Sequence, residues 1–223
     1  MKNTIVKRMT LLCVLLTGCV MLGAQEKGTI APDEVPGTTV YIPYNVPITI
    51  DGKTDDWKGV PVSRLTRAFP ASPDKSQNVY IDFSVAADET NVYVRAESAD
   101  SNIICGKHGS NFWNEDSMEF YFNFTKNLNA VSYGKGMMQV NISPVNLGKK
   151  ITTAAVTGTG AADSHVTAFV YKTESGWGFE ASVPYTAYFT ESHGKTIGFQ
   201  IQANGASKKE RDSKLIWSTA DTT

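Results

Sequence analysis

The sequence predicts an all-β protein, an antiparallel β-sandwich that forms a single domain after an N-terminal export signal. Apolar residues recur at every second position in one segment after another, which is the period of a strand with one buried face. Turn residues separate these segments. No segment of the 223 residues repeats its apolar positions with the 3.6-residue period of a long helix. Short strands and turns that alternate throughout a chain are typical of a sandwich.

The first half of the domain contains four predicted strands. A tight-turn dipeptide, Asp51-Gly52, follows the first strand, and residues 88–91, D-E-T-N, form a turn between the second and the third. Their buried residues are, in order, Ile48 and Ile50; Val79, Ile81, Phe83 and Val85; Val92, Val94 and Ala96; and Met118, Phe120, Phe122 and Phe124.

The second half continues the same pattern. Turn signals lie at residues 174–176 and 193–194. Residues 144–165 are rich in Gly, Thr and Ala, and we interpret them as a long loop or a weak edge hairpin. The buried residues of the predicted strands are Met138, Val140 and Ile142; Phe169 and Tyr171; Trp177, Phe179, Ala181 and Val183; and Ile197, Phe199, Ile201 and Ala203.

The N-terminus has the layout of an export signal. Residues 1–8 carry three cations, and a mostly apolar stretch too short to span a bilayer as a helix follows. The sequence L-T-G-C ending at Cys19 matches a bacterial lipobox, in which this cysteine becomes the lipidated first residue; cleavage after Ala24 is the alternative. We predict a signal peptide at 1–24, a linker at 25–45 and the sandwich at 46–223.

Charge excludes two classes of partner. Loss of the signal removes three of the 21 basic residues and none of the 22 acidic ones, so 18 basic residues remain and the net charge is near −4. Nucleic acid and anionic lipid surfaces both attract clusters of Lys and Arg. We therefore expect an exported protein of the periplasm, the outer membrane or the extracellular space that does not bind nucleic acid.

Polar residues occupy the strand positions between the apolar ones. Most carry planar groups that form two hydrogen bonds in a fixed geometry, and Lys, the usual filler of solvent-facing positions, is absent from them. A solvated outer surface is the ordinary interpretation of such a face, and a ligand-binding face is the alternative. The residues are Arg95 and Glu97; Glu119, Tyr121 and Asn123; Gln139 and Asn141; and Gln200, Gln202 and Asn204.

Two tryptophans favour the ligand-binding alternative. Trp113 lies just before the strand of Glu119, and Trp217 lies beyond the strand of Gln200. A sugar ring has apolar C–H faces and a perimeter of hydroxyl groups, so it binds between flat aromatic rings with amide, carboxylate or guanidinium groups around its edge. Trp57 and Trp177 are predicted core residues.

Five segments, in order along almost the whole domain, resemble family 9 carbohydrate-binding modules. The chain departs from the pattern at Asn204-Gly205, where many members have Asn-Asp. The matching segments are I-D-G-K-T-D-D-W at 50–57, V-A-A-D-E-T-N-V-Y-V at 85–94, F-W-N-E-D-S-M-E-F-Y-F at 112–122, G-W-G-F-E-A-S-V-P at 176–184 and I-G-F-Q-I-Q-A-N at 197–204.

The resemblance implies a non-catalytic β-sandwich that binds poly- or oligosaccharide, often at chain ends, between two tryptophans. By position in the motif, Trp113 is similar to one of these and Glu119 to their hydrogen-bonding carboxylate, while Trp217 resembles the other. Arg211 joins the site as a neighbour of Trp217, and the other polar residues come from the pattern of the face. The predicted site is Trp113, Glu119, Trp217, Tyr121, Asn123, Arg95, Gln139, Asn141, Gln200, Gln202, Asn204 and Arg211.

The resemblance also bears on cofactors and partners. No cofactor is required, although members of the family can bind structural calcium. Asp51, Asp55 and Asp56 offer oxygen ligands, but their spacing matches no recognised calcium loop, so we assign no metal residue. Expected partners are the saccharide itself, a lipid anchor in a bacterial membrane, and a glycoside hydrolase or a transporter.

Two other functions remain open at this point. A haem-binding electron-transfer sandwich would draw its axial ligands from His108, His165, Met118, Met137 and Met138, although no C-x-x-C-H attachment site exists. A glycoside hydrolase would need two carboxylates facing each other across a cleft, for which Glu119 and Glu97 are the candidates if they share a face.

Overall fold

Two antiparallel sheets pack face to face, which confirms the predicted β-sandwich. The computed structural model describes residues 39–66, 68, 80–189 and 194–217, so the predicted signal peptide and lipobox lie outside the described residues. Helical structure within these ranges consists of 3₁₀ turns, and none of it is long and apolar enough to cross a membrane. The turns are Asp55–Trp57, Phe112–Asn114, Pro144–Asn146, Thr153–Ala155 and Ala161–Ser164.

The larger sheet has six strands. Their bounds are β1 Ser63–Leu65, β2 Ile81–Ala87, β3 Asn91–Ala99, β6 Lys149–Thr152, β7 Thr167–Lys172 and β8 Gly176–Pro184. They lie side by side in the order β1-β2-β3-β8-β7-β6. The predicted turn at 88–91 joins β2 to β3, where the Asp88 carboxylate accepts hydrogen bonds from the backbone N–H groups of Thr90 and Asn91.

The smaller sheet has four strands and carries most of the predicted site. Their bounds are β4 Ser117–Asn123, β5 Met137–Ile142, β9 Gly198–Ala206 and β10 Arg211–Ile216, in the order β10-β9-β4-β5. Phe120 pairs with Val140 on β5 and with Ile201 on β9. All three side chains are fully buried, so the predicted inward direction of the alternating apolar residues is confirmed for these strands.

Aromatic side chains fill the space between the sheets. The rings of Phe120 on β4 and Phe179 on β8 have their centroids 5.8 Å apart. Trp177 is fully buried, which confirms its prediction as a core residue. Burial of apolar area on this scale is the main stabilising contribution to a sandwich.

A second, smaller cluster covers the outside of the larger sheet. Val46, Ile48 and Ile50 alternate as buried residues and pack with Trp57, so the predicted core position of Trp57 is confirmed. The predicted strand at residues 48–50 is wrong, because this segment runs extended without joining a ladder. Alternate side chains of this segment are buried, which gives its sequence a period of two although its backbone does not pair as a strand.

Glu180 on β8 holds this outer segment in place. Its carboxylate accepts hydrogen bonds from the backbone N–H groups of Asp51 and Gly52, at 2.7 and 2.6 Å, and from Trp57 Nε1 at 3.0 Å. Gly52 has a φ of +84°, and a Cβ there would lie 2.6 Å from the ring of Phe169. The turn in I-D-G-K-T-D-D-W is therefore a structural anchor.

The predicted boundary between linker and domain is too late in the chain. Ala87 N–H donates to the Pro43 carbonyl, and Val46 N–H donates to the Ala87 carbonyl, so the chain already follows the edge of β2 before Val46. Val40 and Ile42 pack against the main core. Residues 40–45 belong to the folded domain, while residues 25–38 lie outside the described residues.

Three strands were assigned incompletely or missed by the sequence pattern. Residues 144–165 contain one edge strand, β6, which pairs with β7 beyond the segment, while the rest of the segment consists of 3₁₀ turns and loop. Strand β1 is short, with the alternation reduced to Ser63 and Leu65 around exposed Arg64. Strand β10 was missed because R-D-S-K-L-I begins with polar residues and pairs across a register shift.

Candidate functional site

Polar residues line the outer face of the four-stranded sheet. In its register, Glu119 on β4 lies between Asn141 on β5 and Gln202 on β9, and Tyr121 lies in the next outward-facing row of the same strands. Since residues two apart on a strand share a face, these rows form one continuous surface. The structure thus brings together Glu119, Tyr121, Asn123, Gln139, Asn141, Gln200, Gln202 and Asn204.

Glu119 is the centre of a hydrogen-bond network on this face. Its Oε1 accepts from Asn204 Nδ2 at 2.6 Å and from Asn141 Nδ2 at 3.2 Å. Its Oε2 accepts from the Tyr121 hydroxyl and from Gln139 Nε2, both at 2.5 Å. A carboxylate has about four acceptor positions, so this one is saturated.

The saturation changes the role expected of Glu119. Its side chain is 1% exposed, beneath the half-buried Tyr121 and Gln139. The predicted direct bond to a ligand would require one of these donors to be displaced. In the structure, Glu119 instead fixes the orientation of the amide and phenol groups around it.

Two amide oxygens in the row of Glu119 have unused acceptor capacity. Asn141 Oδ1 and Gln202 Oε1 are buried and have no hydrogen-bond partner among the described residues. Buried polar atoms are nearly always paired, and an unpaired one costs about 1–3 kcal/mol. Asn141 and Gln202 flank Glu119 in the register, so the central row of the face holds two buried acceptors without a partner among the described residues.

Trp113 stands at one end of the face. It lies in the 3₁₀ turn that precedes β4, and it is 47% exposed. The Arg211 guanidinium carbon lies 5.3 Å from the centroid of the indole ring, and Arg211 Nη1 donates to Asn204 Oδ1 at 3.1 Å. Arg211 therefore connects the aromatic ring to the network of Glu119, and its predicted membership of the site agrees with its position.

Buried acids hold the turn of Trp113 in position. The Glu115 carboxylate accepts from the backbone N–H groups of Gly106 and Lys107, both at 2.7 Å. The Asp116 carboxylate accepts from the N–H of Ile104 and, at 2.7 Å, from that of Ala206 on β9. The acids of the W-N-E-D-S-M-E segment are thus structural, which leaves Trp113 projecting from a fixed support.

Trp217 does not lie on this face, so the predicted second aromatic wall is wrong. Its side chain is 4% exposed and belongs to the core, where it meets Phe83 of the other sheet edge-to-face with ring centroids 5.0 Å apart. Trp217 N–H donates to the Ile201 carbonyl, continuing the β9–β10 ladder. The indole points inward because its position in that ladder shares the inward side with Leu215.

Arg95 and Glu97 also lie elsewhere. Both are on β3 of the six-stranded sheet, where Arg95 donates to Glu97 at 2.6 Å and to the Tyr171 hydroxyl at 3.2 Å. Arg95 therefore does not share a face with the predicted site residues of the four-stranded sheet, and the placement of Glu97 on one face with Glu119 is wrong. The period of two showed that these residues point outward from a sheet, but not from which sheet.

The far end of the face continues into a pocket that the sequence did not predict. Asn123 lies at its rim, although its Oδ1 is engaged by Thr125. Tyr133 and Val131, from the loop between β4 and β5, complete the wall next to Gln200. Both are exposed side chains with large apolar groups. Their occurrence in a polar loop is the feature of the sequence that could have indicated this pocket.

Two of the methionines proposed as haem ligands, one on β4 and one on β5, do not project from the surface of the sandwich. Met118 and Met138 are buried in the core, and His108 Nδ1 lies 3.4 Å from Glu115 Oε2. No group of three His, Cys, Asp or Glu side chains within the described ranges is placed to hold a metal ion. Asp51 accepts a hydrogen bond from the N–H of Lys53 in its own turn, and Asp56 accepts one from the N–H of Thr49. Structural calcium stays a prediction.

Comparison with known proteins agrees with this arrangement. The sequence profile described as "Carbohydrate family 9 binding domain-like" matches residues 50–223. The chain belongs to this family. The matched region of this family 9 chain contains the ten strands of the described residues and the polar face of the four-stranded sheet. No curated protein matches the chain.

Two solved structures of a family 9 carbohydrate-binding module from Caldicellulosiruptor kristjanssonii are similar to it. The complex with cellotriose has a TM-score of 0.64 and 22% identity, covering 81% of this chain and 85% of that chain. The complex with glucose has a TM-score of 0.62 and 21% identity, covering 81% and 87%. At these identities the likeness shows a common fold.

Proposed function

We propose that this protein is a non-catalytic carbohydrate-binding protein that holds poly- or oligosaccharide on the outer face of its four-stranded sheet. One observation carries the proposal: a half-exposed indole, Trp113, projects at the end of a face whose amide and phenol groups are ordered around Glu119. Membership of family 9 and the glucose and cellotriose complexes of its structural neighbours support it.

The sugar is recognised by two kinds of contact, stacking against its apolar ring face and hydrogen bonds to its hydroxyl groups. The apolar face of one pyranose stacks on Trp113, beside the Arg211 guanidinium. Its hydroxyl groups bond to Arg211 and to the half-buried Tyr121 and Gln139. An open face of this kind gives Kd values from about micromolar to millimolar, or about 4–8 kcal/mol.

The positions of the acids support binding without catalysis. Hydrolysis of a glycosidic bond uses two carboxyl groups about 5–10 Å apart across the scissile bond. Glu119 is enclosed by four donors, and Glu97 lies on the opposite sheet. Neither presents the paired arrangement that the hydrolase alternative requires.

Tryptophan fluorescence tests the proposal directly. Three of the four tryptophans are buried, so a change on addition of sugar reports on Trp113. We expect a saturable change with a soluble saccharide, beginning with glucose, cellobiose, cellotriose and cellotetraose. Calorimetric titration of Trp113→Ala should show at least about tenfold weaker binding, with the free energy of unfolding within about 0.5 kcal/mol of the parent.

A matched control separates the site from surface effects in general. Tyr41, at 56% exposed, lines a different part of the surface, and Tyr41→Ala should bind as the parent does. Unchanged affinity in Trp113→Ala would remove this site. No binding of any saccharide would remove the function.

We further propose that the protein binds its saccharide at a chain end. Cellotetraose and its borohydride-reduced form differ in whether the last ring is closed. A site for the reducing end loses affinity for the reduced form, whereas a site for internal segments does not.

We also propose that the protein is exported and carries lipid at Cys19, with a glycoside hydrolase or a transporter as its working partner. The charged-then-apolar N-terminus and the L-T-G-C segment support this. Mass spectrometry of the mature protein distinguishes a lipidated Cys19 from a chain cut after Ala24.

A further inference from the structure

A pocket of about 290 Å³ opens at the end of the polar face opposite Trp113. Its volume lies close to the lower limit of small-molecule sites, about 300 Å³. Three residues of the polar face, Tyr121, Asn123 and Gln200, line one side of it, and Val131 and Tyr133 line the other. The pocket is therefore continuous with the proposed sugar site.

The lining combines apolar and polar side chains. Met137, which pairs with Asn123, contributes apolar surface on the outward side, and Tyr133 presents an aromatic ring that is 48% exposed. Gly198 lies opposite Asn123, where a Cβ would be 2.8 Å from the Asn123 Cβ, so a glycine keeps this part of the pocket open. Such a lining suits a pyranose, whose C–H face meets the aromatic ring and whose hydroxyls meet the rim.

The separation of the two aromatic ends indicates the size of the ligand. Trp113 contacts Arg211, which bonds to Asn204, and Asn204 pairs with Ser117 at the start of β4. The pocket lies at the level of Asn123, at the end of the same strand. Six strand residues span about 20 Å, the length of roughly four linked pyranose rings.

We propose that Tyr133 and its pocket form a second sugar subsite, so that the ligand is a linear oligosaccharide of about four residues lying along β4. The inference rests on the proposed function and deepens it. Trp113 stacks the first ring, Gln139 and Tyr121 contact the middle rings, and Tyr133 stacks the last. A monosaccharide occupies the Trp113 end alone.

Calorimetric titration with glucose, cellobiose, cellotriose and cellotetraose tests the inference. Affinity should rise at least about tenfold from glucose to cellotetraose, since a stacked ring adds roughly a factor of ten. Tyr133→Ala should abolish this rise and leave the affinity for glucose within about twofold. Tyr133→Phe should restore the rise because it keeps the ring, and Tyr41→Ala should not affect it.

The outcomes separate the two proposals. Equal affinity along the series in the parent, or a rise that survives in Tyr133→Ala, would overturn the second subsite while leaving sugar binding intact. A parent protein that binds none of the four saccharides overturns both. A loss of glucose binding in Tyr133→Ala equal to the loss of cellotetraose binding also contradicts the inference, because the two subsites would not be separate.

Discussion

Asp100 and Asp116 form a buried pair of carboxyl groups beneath the Trp113 turn. Burial, together with the charge of Asp100, raises the pKa of Asp116 to about 8, and burial raises the pKa of Asp100. The two side chains lie within hydrogen-bonding reach, and Asp100 Oδ2 has no partner among the described residues. Like charges this close are stabilised when one of the two holds a proton.

This pair predicts a stability that falls as pH rises. Between the ordinary value of 3.8 and about 8, the folded state keeps a proton on Asp116 that the unfolded chain has released. The free energy of unfolding therefore falls as pH rises through that window, by at most about 1.4 kcal/mol per pH unit. The contribution is complete below pH 3.8 and lost above pH 8.

Asp100→Asn should reduce this slope. The amide removes one negative charge and places an N–H donor beside Asp116, which lowers the pKa of Asp116 in the folded state, while burial continues to raise it. Urea unfolding at pH 5, 6.5 and 8, with EDTA to exclude cations, should show a flatter dependence and a variant more stable than the parent at pH 8. Asp163→Asn, at an exposed position, is the control. The same slope in Asp100→Asn and the parent would contradict the assignment.

The sequence pattern predicts individual site residues only in part. The outward direction of Glu119 and Tyr121 follows from the alternation around Met118, Phe120 and Phe122, and the structure confirms it. The burial of the Glu119 carboxylate cannot be predicted from this alternation. Most of its donors come from neighbouring strands, whose register depends on contacts distant in sequence. A period of two indicates a side of a strand and nothing about what lies above it.

At the scale of elements, β10 decides the position of Trp217. The strand pairs with β9 across a register shift between Arg211 and Ser213, and this sets Leu215 and Trp217 on the inward side. The shift is not visible in the sequence, where R-D-S-K-L-I-W has too little alternation to predict a strand. Arg211, before the shift, remains beside Trp113.

Trp217→Ala should therefore destabilise the fold and not remove the sugar site. Loss of a buried tryptophan costs about 3–5 kcal/mol in the free energy of unfolding. Urea unfolding should show this loss, and saccharide affinity measured in the folded fraction should stay within about twofold of the parent. Trp113→Ala should instead lose saccharide affinity and keep the free energy of unfolding of the parent. Unchanged stability with lost binding in Trp217→Ala would return Trp217 to the site.

At the scale of the whole molecule, the sandwich includes the chain before Val46. Pro43 accepts the hydrogen bond of a buried strand residue, Ala87, and Val40 with Ile42 covers part of the core. The Pro, Gly and Thr content of residues 25–45 predicts a linker, and it conceals these few contacts. Composition averages over a segment, whereas packing depends on single side chains.

A chain beginning at Val46 should be less stable than one beginning at residue 39. It loses the Ala87–Pro43 hydrogen bond and the packing of Val40 and Ile42, which together contribute roughly 2 kcal/mol or about 4–8 °C in Tm. Thermal unfolding followed by circular dichroism measures the difference. Equal Tm values would restore the boundary at Val46.

The sequence by itself determined the fold class, the inward and outward sides of most strands, the exposed Trp113 and the family. These features depend on local periodicity and on motifs of a few residues, which a sequence displays directly. The tertiary structure alone decided that Trp217 is buried, that Arg95 lies on the other sheet, that Glu119 is covered, and that Tyr133 closes a pocket. Each of these depends on which strands become neighbours, and strand neighbours are chosen by long-range packing that local sequence does not record.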